Sequence, residues 1–304
     1  MPNSEPSFSL KGVPVPNSFV DEFRVADIDG NLARQLNADG YLLLRGVHDP
    51  VEVEAARQEV LHRMAEVGEV SEPVVDGLAS GTSRRREVYP TTRELGSFWQ
   101  SVSEGKAVRS VINGPRITRL MSKLFQEPVR HFSFAWLRAM TAGRASPLHV
   151  DHPYMNRGSK RLVTCWSPLC PIGLNDGPLY ILESSHNWSE IRQQFEGHDV
   201  DLDPSRPGHL EESPITLTRR MDSKFLTTEF KHGDCLIFGM FTVHGSFDNQ
   251  AENGRIRLSC DTRFQPSADP MDERFSGPNP PAHGGLGYGC LSASLPLTES
   301  SAPR

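Results

Sequence analysis

The chain lacks any apolar run approaching the roughly 20 residues that a membrane-spanning helix needs, so no membrane association is expected. It also lacks an excess of positive charge. Lys and Arg number 32 against 38 Asp and Glu, the net charge is -6 and the pI is near 6.0. That balance gives no broad basic surface of the kind nucleic acid demands. Cysteine is scarce: there are five, an odd number without framework spacing, which fits a reducing compartment. Cys165 and Cys170 stand too far apart for the short pair of a zinc site and read as structural. Met1 to Pro6 contains no basic region leading into an apolar core, so no secretory signal and a cytoplasmic location are expected. There is no internal repeat or low-complexity tract. Hydrophobic content of 37% and charged content of 23% suit a soluble globular chain of 304 residues.

What is present divides along the chain. Residues 1–30 are Pro-rich and polar and read as an extension that wraps the surface. Residues 31–266 read as one catalytic domain, and 267–304 as a Gly- and Pro-rich tail whose last residues are expected to be disordered. Gly40 to Val47 has strand character. Asp49-Pro50-Val51-Glu52 is a helix start, with Asp as N-cap and Pro at the first helical position. Residues 70–95 read as a mobile loop near the pocket mouth, in which Ser83-Arg84-Arg85-Arg86-Glu87 is a solvated run with a phosphate or anion grip as the alternative, and 105–126 read as one helix. Strands follow at Phe134 to Met140, Leu148 to Asp151, Leu162 to Trp166, Leu179 to Leu182, Phe225 to Phe230, Cys235 to Phe238, Val243 to Ser246 and Arg255 to Phe264. An insertion at about 188–222, with a short helix at Ser189 to Phe195, has the length of a lid or binding loop. Eight short strands with flanking helices predict an α+β, mainly β protein. Its core would be a double-stranded β-helix of jelly-roll or cupin-like type.

His149-Val150-Asp151 and the later His244 carry the chemistry. Two imidazoles and one carboxylate are the ligand set of a non-haem Fe(II) oxygenase. In a strand, side chains at i and i+2 share a face, so His149 and Asp151 point together while His152 points away. His244 and Ser246 share a face by the same rule. Asn253-Gly254 then signals a hairpin that returns Arg255 and Arg257 beside the His244 strand. Periodicity leaves the choice between these two arginines open.

Four further segments occur in order: His149 to Tyr154, Gly177-Pro178-Leu179-Tyr180 through His186, Lys231-His232-Gly233-Asp234, and His244-Gly245-Ser246-Phe247-Asp248-Asn249. With Leu36 to Val47 they resemble the phytanoyl-CoA dioxygenase family of Fe(II)/2-oxoglutarate oxygenases over roughly residues 30 to 266. The resemblance implies iron ligation by His149, Asp151 and His244, with 2-oxoglutarate and O2 as co-substrates. The family arginine that grips the distal carboxylate of 2-oxoglutarate follows the second His by eleven residues, which selects Arg255. Ser246 would assist it, and Trp166 would line the co-substrate pocket. Asp151 stands where halogenating relatives carry a small residue, which favours hydroxylation.

The implied activity is hydroxylation of an unactivated C–H bond in a small molecule, releasing succinate and CO2. Arg138, Lys160 and Arg161 near the motifs favour a substrate with a carboxylate or phosphate. His152 and His186 are expected to lie outside the ligand set. The alternatives are a cupin-like metalloenzyme that does not use 2-oxoglutarate, a zinc hydrolase on the same triad, and a non-catalytic metabolite-binding barrel. Substrate identity and oligomeric state are not written in the sequence.

Overall fold

In the computed structural model, which describes residues 8–299, the strands build two main sheets that face each other across a buried interior and a separate two-stranded sheet at the amino-terminal end of the described residues. The strands in chain order are β1 (Phe8–Leu10), β2 (Val13–Val15), β3 (Val20–Glu22), β4 (Tyr41–Leu44), β5 (Val129–His131), β6 (Trp136–Met140), β7 (Val163–Pro168), β8 (Leu179–Leu182), β9 (Phe225–Thr227), β10 (Cys235–Gly239), β11 (His244–Ser246) and β12 (Arg257–Pro266). The helices are α1 (Leu32–Asp39), α2 (Pro50–Glu66), α3 (Arg85–Val88), α4 (Thr92–Ser103), α5 (Lys106–Ile112), α6 (Pro115–Phe125), α7 (Ser189–Phe195) and α8 (Pro214–Arg220). The larger sheet runs β4-β10-β7-β12-β5, with β6 also on β12, and the smaller runs β11-β8-β9-β3. The expectation of a mixed α and β protein is met.

The alternation of side chains fixes which face covers what. Cys235 and Ile237 of β10, with Leu42 and Leu44 of β4, face outward onto Leu32 of α1 and Ile117, Leu120, Met121 and Leu124 of α6. Those α6 residues recur at helical spacing and form one apolar stripe. Leu236 and Phe238 face inward, beside Trp166 of β7 and Leu179, Ile181 and Leu226 of the smaller sheet. The outer face of the smaller sheet, Tyr180, Leu182 and Phe225, is covered by Phe8 and Leu10 of β1, Ile191 and Phe195 of α7 and Leu217 of α8.

Several expectations need revision. The predicted single helix over 105–126 is two, α5 and α6, because Pro115 has no N–H to donate and occupies the first position of a new helix. A side chain at Gly114 would also strike the carbonyl of Ser110. Residues 70–95 are not a plain loop: they hold α3 and lead into α4, whose start is a capping box formed by Thr91 and Glu94. Arg85 is not solvated but fully buried. The predicted strand over Phe225–Phe230 stops at Thr227. No strand forms over Leu148–Asp151, where only single bridges join His149 to His209 and His244. The Met1–Pro6 segment and the end of the tail lie outside the described residues. Among the described residues, no helix is long and apolar enough to cross a membrane, and the five cysteines are free.

Candidate metal centre

The site is assembled by one backbone pairing. His149 and His244 sit opposite each other and exchange both amide hydrogen bonds, at 2.9 and 3.0 Å. Their rings lie 4.1 Å apart. Each imidazole is held by the same device: Nδ1 meets the carbonyl two residues upstream, Pro147 for His149 at 2.8 Å and Thr242 for His244 at 2.9 Å. That contact fixes the tautomer, with the proton on Nδ1 and a lone pair on Nε2. After Val150 the chain turns at Asp151 into a one-turn helix, His152–Tyr154. The turn brings Asp151 Oδ1 to 3.7 Å from Nε2 of His149 and 4.0 Å from Nε2 of His244. One ligand atom from each residue lies within 4.8 Å of the others.

The electrostatics suit a cation. Burial, then the neighbouring His244, draws the His149 pKa down to about 3, and burial lowers that of His244. Both rings are therefore neutral donors at physiological pH. Burial alone would raise the Asp151 pKa, but the charge of Arg263 and the hydrogen bond from Thr164 oppose it and hold the carboxylate ionised. Arg263 Nη2 donates to Asp151 Oδ2 at 3.0 Å, and Thr164 Oγ1 donates to the same oxygen. Asp151 thus offers Oδ1 to the histidines while Oδ2 is pinned. Two neutral imidazoles and one ionised carboxylate with fixed orientations match the donors a divalent iron takes.

Beside the triad is a narrow space lined by Arg138, Trp166, Leu179, Ser246, Arg257 and Asp261. Ser246 Oγ accepts from the Ser146 amide at 2.8 Å, which leaves its own O–H free to donate. Arg138 is occupied by Asp261 at 2.8 Å. Arg257 is different. It is buried, its nearest polar contact is Met140 Sδ at 2.9 Å, and its Nε has no hydrogen-bond partner. Burial without a carboxylate partner pulls its pKa down to about 10.

The structure therefore brings His149, Asp151, His244, Ser246 and Trp166 together, but places Arg255 elsewhere. Residues 254–256 pair with 77–79: Ala79 N donates to Gly254 O, and Ile256 N to Gly77 O. β12 begins only at Arg257, so the alternation does not run back through Arg255, which lines a separate cavity with Glu54, Arg57 and His232. Among the other residues noted in the sequence, His152 stacks on Phe241 and His186 meets the Asn37 carbonyl, both away from the triad. Arg161 pairs with Glu127 and Asp269 at the surface, and Lys160 is exposed. Arg263 and Thr164 went unnoticed in the sequence. The signal was there for Arg263: Arg257, Asp261 and Arg263 recur with period two in a strand that is buried throughout.

The fold is shared with solved non-haem enzymes. The carbocyclase SnoK from nogalamycin biosynthesis is similar at TM-score 0.54 and 16% identity, over 91% of this chain and 98% of that one. The epimerase SnoN from the same biosynthesis is similar at TM-score 0.52 and 19% identity, over 83% and 92%. EvdO2 from Micromonospora carbonacea var. aurantiaca, complexed with 2-oxoglutarate, is similar at TM-score 0.50 and 17% identity, over 84% and 99%. No curated protein matches the chain. The model of the phytanoyl-CoA dioxygenase (PhyH) family matches residues 36–257, well over half the sequence, and spans all three members of the triad. The chain belongs to the phytanoyl-CoA dioxygenase family.

Proposed function

We propose that the protein is an Fe(II)- and 2-oxoglutarate-dependent dioxygenase that hydroxylates a small molecule. The observation that carries this is the pinned His149–Asp151–His244 triad beside a buried arginine lacking a carboxylate partner. In this reading His149, Asp151 and His244 hold iron, and the facing sheets are the halves of a double-stranded β-helix. Iron with 2-oxoglutarate and O2 supplies the oxidising power for an unactivated C–H bond, with succinate and CO2 released. The protein's own residues bind and orient. Arg257, not Arg255, grips the distal carboxylate of 2-oxoglutarate through its fork of N–H donors. Ser246 donates its free hydroxyl proton to that carboxylate. Trp166, whose ring centroid lies 5.6 Å from the Arg257 guanidinium carbon, keeps the fork in place and water out. Arg263 and Thr164 keep Asp151 aimed at the metal.

The solved neighbours named above include an epimerase and a carbocyclase. The outcome of the reaction is therefore read from the product, by mass spectrometry for a gain of one oxygen. The class of chemistry is tested by anaerobic titration with Fe(II) and then 2-oxoglutarate, following the metal-to-ligand charge-transfer band. The band requires both additions, is absent in His149→Ala, and needs far more 2-oxoglutarate in Arg257→Gln. Bound Fe(II) with no band at any 2-oxoglutarate concentration would move the protein to a cupin-like reaction without that co-substrate.

A further inference from the structure

Two residues before Arg257, the chain shapes a second cavity of about 450 Å³, within the range of small-molecule sites. We propose that this cavity beside Arg255 is a second binding site, for a small oxyanion such as a carboxylate or a phosphate, separate from the metal pocket. The proposal rests on the reading of Arg257 as the co-substrate arginine.

The lining carries two arginines and two carboxylates, but they do not all pair. Glu54 Oε1 takes Arg57 Nη1 at 2.9 Å, so those two residues neutralise each other. Arg255 has no side-chain hydrogen bond or ion pair among the described residues, although its backbone is fixed by Asn253 Oδ1 at 3.0 Å and by the bridge to Leu78. Asp76 lines the same space, yet makes no ion pair with Arg255. The Nε2 atom of His232 is buried with no hydrogen-bond partner, and the nearest carboxylate oxygen, on Glu54, is 3.7 Å away. A half-buried guanidinium and a sequestered imidazole nitrogen are thus held on a rigid frame with nothing to bind. An oxyanion meets that pattern: two of its oxygens take the parallel N–H groups of arginine, and a third contact comes from the imidazole.

The cavity and the metal pocket share no lining residue. The second site is accordingly adjacent to the co-substrate pocket without being part of it.

The test is calorimetric titration of the Fe(II)-loaded enzyme, kept anaerobic, with inorganic phosphate and separately with acetate. Wild type, Arg255→Gln, His232→Asn and Arg257→Gln are compared, and the 2-oxoglutarate charge-transfer band is recorded for each. Binding of at least one anion is expected in wild type and in Arg257→Gln. A loss of tenfold or more is expected in Arg255→Gln, and a several-fold loss in His232→Asn, with the band retained in both. Which anion binds identifies the carboxylate or the phosphate as the ligand chemistry. No anion binding in wild type, or undiminished binding in Arg255→Gln, overturns the second site. Loss of the band in Arg255→Gln with retention in Arg257→Gln overturns it differently: the cavity would then be the co-substrate pocket, and the role given to Arg257 would fall too.

Discussion

Two regions of this molecule bury arginine completely, and they treat it in opposite ways. In the first turn of α3, Arg85 is 0% exposed, and both of its terminal nitrogens are saturated while its Nε has no partner. Nη2 pairs with Glu69, and Nη1 donates to the carbonyls of Ala293, Ser294 and Leu295. Glu69 in turn accepts from Ser83 Oγ at 2.7 Å and from the Leu297 amide at 2.9 Å. This network fastens the carboxy-terminal segment to the helical side of the fold. In the metal pocket, Arg257 Nε and Arg263 Nε and Nη1 have no partner. A satisfied buried network holds structure in place, whereas unsatisfied buried donors cost stability and persist where something else completes them. Saturation of the terminal nitrogens, rather than burial or charge, separates the structural arginine from the binding one, since the Nε atoms of Arg85, Arg257 and Arg263 are alike without a partner.

The largest effect should come from breaking the saturated network. Arg85→Met strands the Glu69 carboxylate without its cation, and removing one partner of a buried pair costs about 3–5 kcal/mol. Chemical denaturation should show that loss, while the folded fraction keeps its Fe(II) and 2-oxoglutarate affinities. Arg257→Gln should do the reverse. It removes a buried charge with no carboxylate partner, so the melting temperature of the apoprotein stays level or rises. The apparent Kd for 2-oxoglutarate weakens by roughly 30- to 100-fold, the worth of a charge-assisted pair. If Arg257→Gln unfolds the protein as severely as Arg85→Met, saturation does not distinguish the two regions.

A smaller effect sharpens the contrast within the pocket itself. Thr164 and Arg263 share Asp151 Oδ2, so Thr164→Val removes one of two restraints and leaves the shape nearly unchanged. Loss of a group that orients a metal ligand typically costs about 10- to 100-fold in metal affinity. With Arg263 still in place, Thr164→Val should sit at the low end, about tenfold, in a competition titration with a chelator. An unchanged affinity would mean that Arg263 alone aims the carboxylate.

The legibility of the sequence follows the same division. The ligand set could be read because each residue type is chemically rare in that role and the motifs fall in order. The start of α2 was legible because Asp49 and Pro50 act locally, and the structure has Asp49 capping Val51 N. The positions of Arg255 and Arg257 were not, because the register between them depends on a pairing with residues 77–79, far away in the chain. Arg85 failed for a similar reason. A run of three arginines reads as solvated until the tail, more than 200 residues later, supplies three carbonyls for one of them. The convergence of Asp151 on the histidines was anticipated from strand alternation, yet the chain achieves it with a turn. Side-chain direction survived although the element did not form.

His48 provides the smallest test, because it is buried and polar but neutral, with one partner: its Nε2 lies 2.9 Å from Ser167 Oγ. Burial, then the charge of Arg116, pulls its pKa down to about 4. In the unfolded chain the same ring titrates near 6.5. As pH falls through 6.5 the unfolded state takes up a proton that the folded state refuses, so stability declines from there until about pH 4, below which both states are protonated. Between pH 7 and 5.5 this one ring should remove roughly 1 kcal/mol. Metal-free His48→Gln, compared with metal-free wild type at the two pH values, should recover that difference while the triad histidines stay common to both proteins. Identical pH dependence in the two proteins would show that His48 takes up its proton in the fold as readily as in the unfolded chain. The line between saturated structure and unsaturated site would then need a third class, of buried groups that tolerate charge with a single neutral partner.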